Sequence, residues 1–428
     1  MRQSFGTPSS TAVGFALLVN GLALSLFFSP GSSDVQIWGN WMREISAYGL
    51  TGGYTHSDTD YPPLAFVILA GVVKCAAALG ASEFVTLKCS LFAFLLATAI
   101  CFYWFTRDLV LTATLEFALT LNSMGLGYLD VYFAPFLIAG LFLLQRGYRS
   151  LGFLLFVISC TIKWQPLIIA PFVCLYVFEN PKEHPTDKTP QFKSQIVPFA
   201  LAAGIVAIPL FLIFGWKIFN SLHRAMTYHI FLSAYGLNLS WIHTWILHLA
   251  QPEKYGALQN GVIDIFQTRD VWVIWPEKTL FYLSYTILFI AFLRQRKTFQ
   301  RLIVYSMLGY LAYFTFNTSV HENHLFLICS LAWVLVFLEP AELARCVNLS
   351  LAANANLFLF YGAFGQRLNP VIGGIDITVL FAIANLCLFA GFLIHTLRKD
   401  GLDLILIKVP PCSDSRASAQ PSTTSSGS

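Results

Sequence analysis

Charge is the scarcest commodity in this chain. Asp, Glu, Lys and Arg make up 11% of its 428 residues, against 56% hydrophobic and 15% aromatic, and a surface so poor in charge cannot clothe a soluble globule. The composition specifies a polytopic membrane protein. The net charge of +4 is small and dispersed over loops; without a basic patch or a soluble domain to carry one, nucleic acid is excluded as a partner. No C-x-x-C occurs among the nine cysteines, which mostly sit inside apolar runs, so they read as buried small hydrophobes and neither a thiolate metal site nor a disulfide framework. There is no clear internal repeat and no H-E-x-x-H, which excludes a zincin on spacing.

Apolar sequence is what the chain has in quantity. Runs at 11–28, 64–80, 85–105, 109–127, 131–145, 150–162, 164–178, 195–214, 279–293, 302–316, 325–338, 346–363 and 377–395 approach the ~20 residues a helix needs to cross a ~30 Å core. They predict an all-α fold, a polytopic transmembrane bundle of about 11–13 spans with extracytoplasmic loop helices. Residues 1–409 form one membrane domain, followed by a Ser/Thr/Pro-rich, disordered cytoplasmic tail over 410–428. The first run resembles a signal peptide, but the Ser-Pro-Gly-Ser-Ser after it lacks a good small-x-small site, and it is expected to remain as the first span.

Basic residues set the orientation. Arg146 and Arg149, then Lys182, Lys188 and Lys193, then Arg294 to Arg301, then Arg398 and Lys399 fill the Lys/Arg-dense loops, which should be cytoplasmic. Parity then requires that one of 64–80 and 85–105 be a half-span or surface-lying helix, a break that Pro62-Pro63 favours. The remaining loops share the opposite face: the Asp34 loop, the Gly127-Tyr-Leu-Asp130 turn, the Lys163 turn, the stretch 215–278 and the His321 loop.

A reaction on a lipid-borne substrate at that face needs a base in a water-accessible loop, cations for a leaving phosphate and an apolar groove for the tail. Asp34 supplies a carboxylate just after the first span, and Trp38 and Trp41 on the same helical face suit the interfacial anchoring of a surface helix. Asp34 equally suits an N-cap. Asp60 precedes Tyr61-Pro-Pro, whose fixed φ angles stiffen the re-entry of the chain; plain turn chemistry is the alternative. Asp130 and Lys163 flank the helical hairpin 131–162 and return to one face. Lys163, beside Trp164 and Pro166, is the better phosphate candidate, with Arg43, Lys217 and Arg224 competing. His321 reads as a donor to a phosphate or sugar oxygen, held as imidazolium by Glu322, or both read as interfacial residues facing water. Glu116 is the one acid near mid-span, a functional hypothesis unless a nearby Thr or Asn122 satisfies it.

These features resemble, in their order, the GT-C superfamily of polytopic glycosyltransferases, which use polyprenyl- or dolichyl-phosphate sugars. Asp34 and the D-Y-P-P-L of Asp60 to Leu64 are similar to the first lumenal loop of the enzymes of N-glycan and GPI assembly. Gly127-Tyr-Leu-Asp130 is similar to the G-Q-x-D turn of bacterial members, Lys163-Trp-Gln-Pro166 to K-P-Q, Tyr235-Gly-Leu-Asn-Leu-Ser-Trp241 to N-A-F-N-L-W, and Val320-His-Glu-Asn-His324 to H-E-K or H-E-R-Y. The likeness covers residues 34–324. Trp164 interrupts K-P-Q, and Asn323 stands where the basic residue would follow His-Glu.

The resemblance implies an inverting hexosyltransferase. Asp34 would be the catalytic base; Asp60, Tyr61, Asp130, Lys163, Gln165, His321 and Glu322 would bind substrate, Lys163 and His321 at the phosphate. Its partners would be a polyprenyl-phosphate sugar donor, a glycolipid or glycan acceptor and the lipid bilayer. No cofactor is required, and a divalent cation is compatible with the spacing without being demanded by it. Mannose is the sugar suggested by the bacterial likeness, and the short loops suggest a bacterial inner membrane with the site on the periplasmic face. A transporter or flippase of lipid-linked sugars is the alternative; it predicts internal repeats and midplane ionisable groups, of which only Glu116 is a candidate. A non-catalytic assembly subunit would need no loop carboxylate cluster.

Overall fold

The computed structural model describes residues 9–179, 192–227 and 230–401. The tail at 410–428 and the loop lysines Lys182 and Lys188 lie outside the described residues. Among those described the fold is all-α: seventeen α-helices, short 3-10 turns, one π-helical turn, and a single antiparallel strand pair, Val371–Ile372 with Ile375–Asp376. Four helices are long and apolar enough to cross a membrane, at Glu83–Thr106, Val197–Phe214, Pro340–Tyr361 and Thr378–Lys399; Ser10–Ser25, Pro63–Leu79 and five others are apolar but shorter.

Packing explains the sequence pattern. The helix Phe326–Leu338 is apolar on every side and buries each residue from Phe326 to Val336, as expected of a helix at the centre of a bundle. It packs against Phe299–Phe316, Leu343–Tyr361, Leu109–Thr120 and Ala134–Gln145. Outer helices instead expose Leu17, Leu18, Ile100, Leu201, Ile205 and Leu212, an apolar exterior that water would not tolerate over so large an area. The hairpin Ala134–Gln145 and Arg149–Ile162 closes tightly because Gly140 and Gly152 cross: a Cβ on either would come within 2.9 Å of the other's carbonyl oxygen. Small residues permit this backbone approach.

The first loop corrects one expectation. Trp38 and Trp41 do share a face of the helix Asp34–His56, but that face is turned inward. Their rings pack on Tyr61 and, for Trp41, on Phe66, and the indole N–H of Trp38 donates to the Gly127 carbonyl at 3.0 Å. Burial of two large aromatics outweighs interfacial anchoring here, because Pro63–Leu79 and the 121–127 turn offer them a protein surface. At that contact Gly127 has φ +75°, and a Cβ would meet Val35 Cγ2 at 2.6 Å. Gly127→Ala is therefore expected to destabilise by about 1–3 kcal/mol through overpacking and left-handed strain, read as a lowered unfolding midpoint in detergent; an unchanged midpoint would mean the helix is not pinned to this turn.

The stretch 215–278 folds into the helices Lys217–Thr227, Leu239–Ala250 and Pro252–Tyr255, and the helix expected at 279–293 starts earlier, at Val271–Arg294. Arg146 and Arg149 stand at the hairpin tip while Asp130 and Lys163 stand at its opposite ends. Arg301 and His321 are likewise separated by the length of Phe299–Phe316.

Candidate functional site

Four of the sequence-selected residues share a local geometry. Asp34 is the first residue of Asp34–His56. Asp130, Gln165 and Glu322 lie in the 3-10 turns Leu129–Tyr132, Gln165–Ile169 and Glu322–Leu325, each leading into an apolar helix. A helix N-terminus leaves N–H groups unpaired and its positive end favours a carboxylate, so the chain can turn inward there while holding a polar side chain at the bundle's rim. The capping expectation shifts by one residue: Ser33 occupies the N-cap position, without a side-chain cap bond, and Asp34 is in the first turn.

Asp130 is wholly buried. Its Oδ1 lies 3.0 Å from Lys163 Nζ, and its Oδ2 accepts from Asn122 Nδ2 at 3.2 Å and Asn323 Nδ2 at 2.9 Å. Lys163 also donates to the Tyr61 hydroxyl and sits 4.0 Å from the centre of that ring. Tyr61 is held in turn by Tyr54, whose hydroxyl donates to the Tyr61 carbonyl at 3.0 Å, and by its own N–H on Thr59 Oγ1 at 2.9 Å. Trp164, the residue that interrupts K-P-Q, donates its indole N–H to the Asp60 carbonyl at 2.9 Å and so ties this turn to the first loop. Asn122 is aimed at Asp130 from the π-helical turn Leu121–Gly125, a local widening often found beside functional groups.

A second group adjoins the first. Glu322 is buried, with Oε1 accepting from the Tyr128 hydroxyl and Oε2 4.0 Å from His321 Nδ1. That separation is the outer limit of an ion pair, so Tyr128 rather than His321 is the main partner of Glu322. His321 is half-exposed, and its backbone is bridged to Ala234 and Tyr235. Asn356 links these strands of loop, donating to the Glu322 carbonyl at 3.0 Å and accepting from Leu237 N–H at 2.7 Å. Asp34, half-buried, lies close enough to both groups for its charge to act on Tyr61, Tyr128 and Glu322. Asp60 is also half-buried and its charge reaches Tyr54 and Tyr61. Gln165 is buried with neither side-chain amide atom hydrogen-bonded among the described residues, a state that costs about 1–3 kcal/mol per group.

Burial, with the neighbouring Asp34 charge second, pushes Glu322 from its ordinary 4.5 up to about 8. Burial raises both tyrosines well above 10, with Asp130 and then Asp34 adding to it at Tyr61, and Glu322 and then Asp34 at Tyr128. Burial thus favours the protonated form of Glu322 near pH 7. Between pH 4.5 and about 8 the folded protein holds a proton that the unfolded chain has released, so stability should fall as pH rises through that window and level off above it. Unfolding midpoints measured from about pH 5 to about pH 8 should slope downward for the wild type and less steeply for Glu322→Gln; parallel slopes would show that Glu322 is not the group responsible.

Several contributors had little or no signal in the sequence. Tyr128 and Asn323 lie inside motifs whose charged residues carry the chemistry, and Asn122 is six positions from Glu116, the acid it would be expected to meet. Asn356 is one of three asparagines in the run 346–363 and Lys88 the one charged residue of the run 85–105, and nothing in either run singles out its partner. Lys88, fully buried, donates to the Met124 carbonyl at 2.6 Å and clamps the π-helical turn. Other expectations are corrected. Glu116 is met by Asn20 Nδ2 at 3.3 Å and not by Asn122, which is occupied by Asp130. Of the competing cations, Arg224 pairs with Asp58 at 2.6 Å, Arg43 bonds Asn40 on the surface, and Lys217 is exposed. Among the described residues no three His, Cys, Asp or Glu side chains are grouped to hold a metal ion. Two cavities, of about 360 and 480 Å³, open beside Arg301 and Arg107, away from this cluster. No protein-family model matches the chain, and no curated protein matches it.

Proposed function

We propose that the chain is a multi-pass membrane glycosyltransferase of GT-C type, with the Lys/Arg-rich loops cytoplasmic and the Asp34 cluster on the opposite, periplasmic face of a bacterial inner membrane. The observation that carries this reading is convergence. Segments nearly three hundred residues apart, from Asp34 to Glu322, bring four carboxylates, Lys163, His321 and two tyrosines to one rim of an apolar bundle.

In the proposed reaction Asp34 accepts the proton of the acceptor hydroxyl as that oxygen attacks the anomeric carbon. The bond from this carbon to the phosphate oxygen breaks, and polyprenyl phosphate departs with the electron pair, inverting the sugar. His321, at the exposed edge, donates to the phosphate. Lys163 is already neutralised by Asp130, so its contribution passes through Tyr61, whose hydroxyl accepts from Lys163 and keeps its own proton to donate to a ligand oxygen. Neutral Glu322 donates to a sugar or acceptor hydroxyl and avoids a second negative charge beside the base. Asp60 positions the acceptor, and Asp130 and Gln165 support the site. No cofactor enters the scheme.

The test is transfer in vitro. Purified protein is given radiolabelled polyprenyl-phosphate hexoses, mannose first, with a panel of glycolipid acceptors, and the anomeric configuration of the product is determined. An inverted glycoside supports the reading; a retained configuration, or donor carried intact across proteoliposomes without transfer, replaces it with another chemistry or with transport.

A further inference from the structure

A second polar assembly occupies the other end of Phe299–Phe316. Its eighteen residues at 1.5 Å rise set the two assemblies ~27 Å apart, comparable with a ~30 Å hydrocarbon core. The cavity of about 360 Å³ lies here, walled by Arg296, Arg301, His395, Lys399, Glu342 and Asp400, with Phe392 and Val304 forming its apolar part.

Each carboxylate around it is already committed. Asp400 accepts from Arg301 Nε and Nη2 at 3.1 and 2.9 Å and from the Tyr305 hydroxyl at 2.9 Å. Glu342 is paired with Arg345 and lies 3.2 Å from His395 Nε2; Glu339 is paired with Lys399 and bonded by Gln300. Arg296 lines the same cavity, and its guanidinium has no hydrogen-bond or ion-pair partner among the described residues. The capacity left over is positive charge and N–H donors.

We propose that this cavity binds a phosphate group, with Arg296 as its main contact, taken from the headgroup of an anionic phospholipid or from free phosphate. A guanidinium offers a phosphate two parallel N–H donors, and a basic pocket between helices on the Lys/Arg-rich side suits an anionic headgroup. The inference is independent of glycosyl transfer at the other end.

Full-length protein in neutral detergent is titrated with short-chain phosphatidylglycerol, with phosphatidylcholine of the same chains, and with sodium phosphate against chloride at equal ionic strength, following the unfolding midpoint. One cation at a lipid surface contributes ~1 kcal/mol, about a fivefold change in affinity. Phosphatidylglycerol is therefore expected to bind about fivefold tighter than phosphatidylcholine, a preference lost in Arg296→Gln and partly kept in Arg296→Lys. Stabilisation by sodium phosphate alone, lost in the same variant, assigns the site to soluble phosphate. Phosphatidylglycerol and phosphate effects unchanged in Arg296→Gln, or no preference for either anion in the wild type, overturn the proposal.

Discussion

Asp34→Asn is expected to lower hexose transfer at least ~100-fold while the protein expresses and binds its lipid donor as before. The amide keeps the size of the carboxylate and cannot accept the acceptor's proton, so the attacking hydroxyl is left un-ionised in the transition state. The fold should tolerate the change, because Asp34 is half-buried in the first turn of a helix whose inward face is held by Trp38, Trp41, Met42 and Ile45. Removing one negative charge should also lower the raised Glu322, since Asp34 is the largest influence on it after burial. The stability–pH window would then move to lower pH together with the loss of turnover. Single-turnover transfer and donor binding, measured on the same preparations, separate the possibilities: retained turnover moves the base role to the half-buried Asp60, and lost donor binding makes Asp34 a binding residue.

Lys163→Met is expected to destabilise the protein by about 3–5 kcal/mol, the cost of leaving a buried carboxylate without its counter-charge. Asp130 has no access to solvent, and its remaining partners, Asn122 and Asn323, are neutral amides. Asp130→Asn leaves the ammonium in a similar position. The double variant Lys163→Met/Asp130→Asn should recover much of the loss, with a coupling of about 1–3 kcal/mol in a double-mutant cycle, because neither charge is then stranded. Unfolding in detergent supplies the four midpoints. Additive losses would mean that the 3.0 Å pair is incidental. Tyr61 is the reporter of function: if Lys163 acts through its hydroxyl, the double variant should fold yet transfer slowly.

Much of this arrangement was legible because it depends on residue type and order. Apolar runs marked the helices, with the largest boundary error at Val271–Arg294, where Pro276, Glu277 and Lys278 masked the first two turns. The hairpin logic for Asp130 and Lys163 also followed from sequence, since two consecutive helices must return to the level from which they started. What the sequence could not rank was the partner of each charge. Lys163 reads as a phosphate contact on the face it shares with Asp130, and only the fold pairs the two, thirty-three positions apart, at 3.0 Å; Glu322 reads as the holder of His321 because the two are adjacent, whereas Tyr128 reaches it from across the bundle.

Residue type and order are enough for an all-α, apolar chain with its acidic motifs set apart from the Arg/Lys-dense loops, because hydrophobic runs and charge are local properties. It takes the packed fold to turn Trp38 and Trp41 towards protein, to bring Asn20 rather than Asn122 to Glu116, and to join Asp34, Tyr128 and Glu322 in one electrostatic unit. Those outcomes depend on which surfaces are brought within a few ångströms of each other. Burial magnifies every such encounter between charges, and no spacing along the chain encodes it.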